Sequence, residues 1–186
     1  MGKPITQALE EVAHTMNCIP TLIESTKYLE DKELTMEADK SYVRYEPTGV
    51  IFEILPWNFP ILLPVSQALQ TLLAGNTILL KHSPGTPDMG VIYEKMMREA
   101  GWDNDEFINI QTSIAQAEGI IADRRITGLS FTGSTGGGRA VGSLCGKYIK
   151  KCSLELGGSD PMIILDDANL QVAALTAATF RLYNAG

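Results

Sequence analysis

The sequence predicts an α/β protein, namely a Rossmann-like, largely parallel sheet with helices on both faces. Short apolar segments rich in β-branched residues alternate with segments of helical periodicity over most of the chain. A glycine-rich turn, Gly133 to Gly138, also follows an apolar strand, which is where dinucleotide-binding folds place their glycines. With 186 residues, the chain is expected to form one main domain.

The first third of the chain predicts a helix and two strands. Apolar residues from Ile5 to Ile19 recur at helical spacing, so a helix is predicted over the first twenty residues, with Pro4 in its first turn. Charged residues dominate Glu30 to Lys40, which predicts a loop. Tyr42 to Glu46 and Val50 to Leu55 are rich in β-branched and aromatic residues around a Pro-Thr-Gly sequence, so we expect two strands about a turn.

Strands and helices alternate from Thr77 onward. An apolar strand, Thr77 to Lys81, leads to Thr86-Pro87, an N-cap and first-turn proline that open a helix ending at Gly101. Repeated strand, turn and helix predict parallel strands. The remaining predicted elements are strands at Phe107 to Gln111, Leu129 to Thr132, Cys152 to Leu156 and Met162 to Leu165, and helices at Ser113 to Ala122, from about Arg139 to Lys147 and from about Leu170.

Composition excludes several classes of protein. The net charge of -7 opposes sequence-independent nucleic-acid binding, because nothing offsets repulsion from a phosphate backbone. The longest apolar stretches, such as Ile61 to Val65, fall far short of the roughly 20 residues that span a bilayer. The N-terminus lacks the apolar core of a signal peptide, and Cys18, Cys145 and Cys152 form no CxxC pair. We therefore predict a cytoplasmic protein that binds neither nucleic acid nor membrane.

No metal site is predicted. His14 lies on the polar side of the first helix, and His82 has no His, Cys or carboxylate at ligand spacing. The segment from Asp103 to Glu106 is similar to the start of a calcium loop, but Ile108 and Ile114 occupy the positions of the required glycine and glutamate. We interpret it as a solvated turn.

The glycine-rich turn has three interpretations. It can open a helix on a dinucleotide pyrophosphate, although its spacing is not the common GxGxxG: Gly133, Gly136, Gly137 and Gly138. The sequence argues against a nucleotide P-loop, because Arg139 and Ala140 replace the required Lys and Ser or Thr. A purely structural turn stays open, but the hydroxyls of Ser134 and Thr135 can donate hydrogen bonds to a phosphate and so favour binding.

Three polar residues at predicted strand ends are candidates for chemistry. Glu155 lies on the strand face opposite to Cys152, so it is either an ion-pair partner of a neighbouring lysine or a general base whose pKa is raised by its apolar neighbours. Asn58 is either a turn residue or an amide that donates to a developing oxyanion, a contribution of about 2.7 to 4 kcal/mol. Lys81 is either a solvated strand end or a contact to ribose hydroxyls or a 2′-phosphate.

Four motifs in this order resemble the coenzyme-binding half of an NAD(P)-dependent aldehyde dehydrogenase. They read P-W-N-F-P from Pro56, K-H-S-P from Lys81, F-T-G-S-T-G-G-G from Phe131 and K-C-S-L-E-L-G-G from Lys151. The resemblance covers essentially the whole chain and implies an N-terminal helical segment over residues 1–40 and an incomplete coenzyme-binding domain over residues 41–186. The last motif, continued by Ser159-Asp160-Pro161, is most similar to the succinate-semialdehyde dehydrogenase branch.

The resemblance also implies a reaction and the residues that perform it. In the family, a thiolate attacks the aldehyde, hydride passes to NAD or NADP, and a glutamate activates water to hydrolyse the thioester. Asn58 falls on the oxyanion donor and Glu155 on the general base. The substrate implied is a small aldehyde, and the full-length form is expected to be a homo-oligomer. The coenzyme-contacting positions are Ile54, Leu55, Trp57, Lys81, Ser83, Gly133, Ser134, Gly138 and Leu156.

Two departures from the family pattern modify this expectation. Pro84 stands where members often carry a glutamate that grips the adenosine ribose, so a 2′-phosphate meets less repulsion and NADP is at least tolerated. Members also continue from a segment like Asn184-Ala185-Gly186 into a Gln-x-Cys that holds the nucleophile, a position on which no cysteine here falls. We therefore expect a fragment that lacks the catalytic domain and is inactive alone. The alternative is a non-catalytic nucleotide-binding or assembly module.

Overall fold

One parallel sheet organises the molecule and confirms the predicted fold class. The computed structural model describes residues 1–35, 40–103 and 105–186. Seven strands lie in these residues: β1 (Lys32–Glu33), β2 (Tyr42–Val43), β3 (Val50–Ile54), β4 (Thr77–Lys81), β5 (Phe107–Asn109), β6 (Ile126–Gly133) and β7 (Lys151–Leu156). The last five are parallel and have the spatial order β5-β4-β3-β6-β7, whereas β1 and β2 form a separate antiparallel pair.

Six α-helices lie in the same described residues. A π-helical turn, Pro64–Ala68, runs directly into the second of them, and short 3-10 helices lie at Ser25–Leu29 and Tyr183–Ala185. The α-helices are α1 (Ile5–Glu24), α2 (Leu69–Leu73), α3 (Pro87–Glu99), α4 (Ile114–Ala122), α5 (Thr135–Lys147) and α6 (Leu170–Leu182).

Each face of the sheet buries its own apolar cluster. On one face, α2 and α3 pack on the sheet, and the buried side chains include Leu72, Leu80 and Tyr93. On the other, α4 and α5 pack on the sheet with Ile121 and Phe131 among the buried residues. The central strand β3 contributes to both clusters, which is the arrangement expected when crossover helices cover both sides of a parallel sheet.

Several predicted elements are confirmed with their caps. Proline at the first helical position opens α3, and Gly101, with φ of +95°, follows its end. Ser113 caps α4 in a capping box with Gln116, and the Ser134 side chain accepts the Gly137 N–H at the start of α5. In α1, Pro4 lies at the N-cap, one residue before the first turn in which it was predicted, and its carbonyl oxygen accepts the Ala8 N–H at 3.0 Å.

Three predictions of local structure are wrong, and one helical segment was missed. The strands at β2 and β3 do not form a hairpin, because β3 lies in the centre of the sheet between β4 and β6. Residues Met162 to Leu165 form no strand and are exposed, since β7 is the last strand of the sheet. Helix α5 begins at Thr135, so most of the glycine run is helical. The helical segment from Pro64 to Leu73 was not predicted, because its polar positions interrupt the apolar periodicity.

Two predicted loops fall partly outside the described residues. Positions 36–39 belong to the loop predicted from Glu30 to Lys40, and position 104 belongs to the predicted solvated turn. Among the described residues of that turn, the Glu106 carboxylate accepts the Asp103 N–H at 2.9 Å. Side-chain to backbone bonds of this kind are typical of turns.

Candidate active-site groove

A groove of about 1280 Å³ runs along β6 and β7, from Gly128 and Lys151 near their amino ends to Gly133 and Leu156 at their carboxyl ends. Asn58 borders it from the segment after β3, and Glu155 borders it from β7. Tyr183 and Asn184, which follow α6, also line it. The carboxyl ends of parallel strands meet at one edge of the sheet, and this is where α/β folds bind ligands.

The loop that carries Asn58 is fixed by a buried ion pair from the N-terminal segment. The Glu11 carboxylate accepts the N–H groups of Ile61 and Leu62 at 2.8 and 2.9 Å. Lys3 pairs with Glu11 and donates to the Asn58 carbonyl oxygen at 3.1 Å. The side chains of Lys3 and Glu11 are 2% and 1% exposed. Because a buried charge pair tolerates little movement of its partners, the backbone of Asn58 is held in place.

Glu155 is exposed in the groove, which corrects the expectation that apolar neighbours bury it. It lies on an edge strand, and α5 covers only the opposite face of β7. Neither candidate lysine pairs with it among the described residues, and Lys150 donates instead to the carbonyl oxygens of Asp123 and Ile126 at 2.8 and 2.6 Å. The carboxylate is therefore open to water and to a ligand in the groove.

A polar pair lies between the two candidate catalytic residues. Thr132 of β6 is the register partner of Glu155, so the two side chains project from the same face of the sheet. The Gln67 side chain, from the π-helical turn, donates to the Thr132 hydroxyl at 2.8 Å. Both residues line the groove, and they give its floor hydrogen-bonding groups beside Glu155.

The start of α5 lies beside the groove, which its N-cap residue Ser134 lines. The Ser134 hydroxyl and carbonyl oxygens accept the N–H groups of Gly137 and Gly138 at 3.1 and 2.9 Å. Within the described residues, the N–H groups of Thr135 and Gly136 keep no such partner, so they can bind a phosphate at the positive end of the helix dipole. A side chain at Gly138 would overlap Leu156, and glycine there lets the helix start lie against β7.

A second, smaller cavity of about 240 Å³ lies at the carboxyl end of β4. Lys81, which is 5% exposed, lines it, and burial lowers the pKa of this lysine. Burial also lowers the pKa of the adjacent His82, whose Nδ1 accepts the Ser83 N–H at 3.0 Å. The cavity is lined by Lys81, His82, Pro84, Pro87, Asn109, Ile110, Gln111 and Thr112, none of which is acidic.

Some of the predicted coenzyme residues line the groove or the smaller cavity, and others line neither. Trp57, Gly133, Ser134 and Leu156 line the groove, and Lys81 lines the smaller cavity. Leu55 is 2% exposed in the core beneath α2, so only its backbone can face a ligand. Three further predicted residues, Ile54, Ser83 and Gly138, line neither cavity.

Sequence reasoning missed five residues that line the groove or are buried in the structure near it, and only one carried a local signal. Glu53 stands alone among apolar residues in β3, the same pattern that singled out Glu155. Its carboxylate is fully buried, burial raises its pKa to about 8, and neither oxygen has a hydrogen-bond partner among the described residues. The other four depend on tertiary contacts: Lys3, Glu11, Gln67 and Thr132.

Two further classes of site are absent from residues 1–35, 40–103 and 105–186. These residues contain no cluster of three or more His, Cys, Asp or Glu side chains that could hold a metal ion. None of their helices is both long enough and apolar enough to cross a bilayer.

Comparison with known proteins identifies close relatives over the whole chain. The profile of the aldehyde dehydrogenase family matches residues 1–186. The chain is 38% identical to the succinate-semialdehyde dehydrogenase [NADP(+)] of Deinococcus radiodurans, covering 100% of this chain and 39% of that protein. It is 37% identical to the succinate semialdehyde dehydrogenase [NAD(P)+] of Escherichia coli, with 100% and 40% covered.

Solved structures give the same result. The succinic semialdehyde dehydrogenase of Streptococcus pyogenes in complex with NADP+ superposes with a TM-score of 0.92 at 34% identity, covering 100% of this chain and 41% of that one. The NAD+ complex of an aldehyde dehydrogenase from Bacillus cereus gives a TM-score of 0.89 at 32% identity, with 98% and 38% covered. The chain thus spans about two fifths of the length of the relatives it matches.

Proposed function

The chain belongs to the aldehyde dehydrogenase family, and from this premise we propose that it forms the coenzyme site of an NAD(P)-dependent enzyme that oxidises succinate semialdehyde. Residues 41–186 form the coenzyme-binding unit, and residues 1–40 brace it through the Lys3–Glu11 pair. The observation that carries the proposal is the groove in which Asn58, Glu155 and the start of α5 meet. The substrate is proposed from the names of the relatives and from the motif that runs from Leu154 to Pro161.

Asn58 and Glu155 have separate roles in the proposed reaction. The Asn58 amide donates a hydrogen bond to the oxygen that becomes negative when the aldehyde carbon is attacked. Glu155 takes a proton from the water that hydrolyses the acyl intermediate. Its exposure in the groove supports this role, since a general base that works on water needs access to water. The Lys3 bond to the Asn58 carbonyl oxygen supports the other role, since it holds the backbone from which the donating amide extends.

The residues of this chain fit a dinucleotide. The N–H groups of Thr135 and Gly136 hold the pyrophosphate at the start of α5, and Trp57, Gly133 and Leu156 line the groove beside it. Lys81 holds the ribose or its 2′-phosphate from the smaller cavity. When bound, the nicotinamide accepts the hydride that the aldehyde loses.

We propose that both NAD and NADP bind. The cavity that contains Lys81 and Pro84 has no acidic lining residue, so no carboxylate repels a 2′-phosphate. The charge of Lys81 favours that phosphate. A relative from Deinococcus radiodurans is named as NADP-dependent and one from Escherichia coli as NAD(P)-dependent, which supports a tolerant site.

Calorimetric titration of the 186-residue chain with NAD and NADP tests the coenzyme site. We expect both to bind, with affinities within about a hundredfold, or roughly 2.8 kcal/mol. The variant Lys81→Met should weaken NADP more than NAD. Lys95→Met, which removes an exposed lysine of α3, is the matched control and should change neither affinity. No heat of binding from either nucleotide would refute the proposed function.

We expect no aldehyde oxidation by these 186 residues alone, because none of their cysteines meets the needs of the nucleophile. Cys18 lies on α1 near His14, and Cys145 is a buried residue of α5. Cys152 borders the groove but shares the α5-facing side of β7 with Leu154. An assay of reduced coenzyme with succinate semialdehyde checks this. Turnover that Cys152→Ala abolishes would contradict it.

Helix α6 favours a second candidate function, that of an assembly module. None of its residues is buried, although apolar side chains lie around much of its circumference: Leu170, Val172, Leu175, Phe180 and Leu182. A helix of this kind is normally covered on more than one side. Sizing chromatography with light scattering should therefore show oligomers or aggregates. A sharply eluting monomer that binds no hydrophobic dye would exclude assembly and leave the coenzyme site as the function.

A further inference from the structure

Helix α5 lies along β7 in a regular register. A side chain at Gly138 would overlap Leu156, and a Cβ atom at Gly142 would lie 3.3 Å from the Leu154 side chain. A step of four residues along α5 therefore corresponds to a step of two residues toward the start of β7. This match is expected, because a helix rises about 1.5 Å per residue and a strand about 3.3 Å. The next step of this register carries Cys152 to the level of the last turn of α5, which holds Cys145, although a Cβ atom at Gly146 in that turn would have no neighbour within 4 Å.

A second observation brings the same two cysteines together. Cys145, which is 1% exposed, belongs to the apolar cluster that contains Leu129. Leu129 is the register partner of Cys152 on β6, so Cys152 projects toward that cluster. The turn between them is closed by the Lys150 N–H, which donates to the Cys145 carbonyl oxygen at 2.8 Å. Burial, and then the neighbouring Cys152 thiol, raise the pKa of Cys145 to about 11.

We propose that Cys145 and Cys152 are a modification site, at which oxidation by a hydroperoxide forms an intramolecular disulfide between α5 and β7. Close packing of the two elements favours this bond. A disulfide requires Cα atoms about 4.4 to 6.8 Å apart, and the glycines at positions 138 and 142 allow α5 to approach β7 closely. The site uses neither Asn58 nor Glu155, so it is independent of the proposed function.

The two cysteines take different parts in the reaction. Exposed Cys152, on the edge strand, attacks hydrogen peroxide as the thiolate, which gives a sulfenic acid and hydroxide. Cys145 then loses its proton and attacks the Cys152 sulfur as the thiolate, the S–O bond of the sulfenic acid breaks, and the leaving hydroxide takes up the proton as water. In total the two thiols lose two electrons and two protons, and the peroxide becomes two waters. The bond ties β7 to α5 three residues before Glu155.

Mass spectrometry of the Cys18→Ser chain tests the site, because this background leaves only the two cysteines of the pair. Hydrogen peroxide should lower the mass by about 2 Da and remove both thiols, and dithiothreitol should restore them. Peptide mapping should find Cys145 joined to Cys152 within one chain. With Cys145→Ser added, Cys152 should stop at a sulfenic acid that dimedone traps. With Cys152→Ser added, the buried Cys145 should stay a thiol.

Three outcomes would overturn the proposal. In the Cys18→Ser chain, Cys152 could oxidise to a sulfinic acid while Cys145 remains a free thiol. The disulfide could instead join two chains, which a non-reducing gel detects. A chain whose two thiols both survive peroxide would also refute it. Since Cys152 is exposed, Cys152→Ser is expected to fold even if the change at buried Cys145 is not tolerated, so the comparison stays available.

Discussion

Strands β3 and β7 each carry a single glutamate between apolar residues, and the two carboxylates have opposite environments. Glu53 lies in the centre of the sheet, fully buried and without a hydrogen-bond partner among the described residues. Glu155 lies on the edge strand and is exposed in the groove. The local pattern is the same, so the position of the strand in the sheet determines whether the carboxylate meets water. Only the exposed carboxylate suits proton exchange with a substrate water.

Glu11 sharpens this comparison, because it is buried like Glu53 but has partners. Its carboxylate pairs with Lys3 and accepts two backbone N–H groups. Replacing one member of a buried pair leaves the other charge uncompensated, so Glu11→Ala should destabilise the chain by about 3 to 5 kcal/mol. Urea unfolding measures the change. Glu10→Ala, at an exposed neighbouring position of α1, is the control and should cost far less.

A loss as small as that of the Glu10 control would mean that the N-terminal segment does not hold the Asn58 loop. In that case the proposed bracing of the groove by residues 1–40 would be wrong. The buried Glu11 would then contribute no more to stability than an exposed glutamate such as Glu155.

Glu53 should have the opposite effect on stability to Glu11. Because its carboxyl group has no partner, it lowers the stability of the folded chain once the pH is high enough for this group to ionise in the unfolded chain. Its pKa is raised from an ordinary value of 4.5 to about 8 by burial. The folded state therefore retains a proton that the unfolded state loses between these values, and stability falls as pH rises from about 4.5 to 8. At pH 8 the loss is on the order of 4 kcal/mol, at about 1.4 kcal/mol per pKa unit.

The variant Glu53→Gln keeps the shape and removes the ionisation. It should be more stable than the parent chain at pH 8 and nearly equal to it at pH 4, as measured by urea unfolding at both values. An equal effect at the two pH values would show that the Glu53 carboxyl group finds a partner in solution.

The sequence predicted the alternation of the fold well, because periodicity and caps are local. Strand β4 and the ends of α3 and α4 follow from residues within a few positions of each boundary. It could not predict that β3 lies at the centre and β7 at the edge, since strand order depends on contacts between distant segments. The burial of Glu155 was therefore predicted wrongly, and Glu53 was overlooked. The roles of Gln67 and Lys3 depend on partners 65 and 55 residues away.

A new carboxylate at Pro84 extends the comparison to the smaller cavity. The variant Pro84→Glu places a negative charge beside Lys81, where none of the lining residues is acidic. It should weaken NADP binding by about tenfold or more, or roughly 1.4 kcal/mol, and leave NAD binding less affected. Calorimetric titration with both nucleotides measures the ratio. If the ratio of the NAD and NADP affinities does not change, the 2′-phosphate binds outside the smaller cavity. Pro87→Ala, in the same cavity without a charge, is the control.

The smallest effect on stability is expected for Glu155→Gln, the same substitution as at Glu53. An exposed side chain without a partner contributes little to folding, so the free energy of unfolding should change by less than about 0.5 kcal/mol at both pH 4 and pH 8. Coenzyme affinity should also persist, because the proposed role of Glu155 is to take a proton from water rather than to hold the nucleotide. Urea unfolding and calorimetry measure these two quantities. A shift above about 1 kcal/mol that depends on pH would mean that Glu155 is buried in solution, and the edge strand would then no longer differ from the central one.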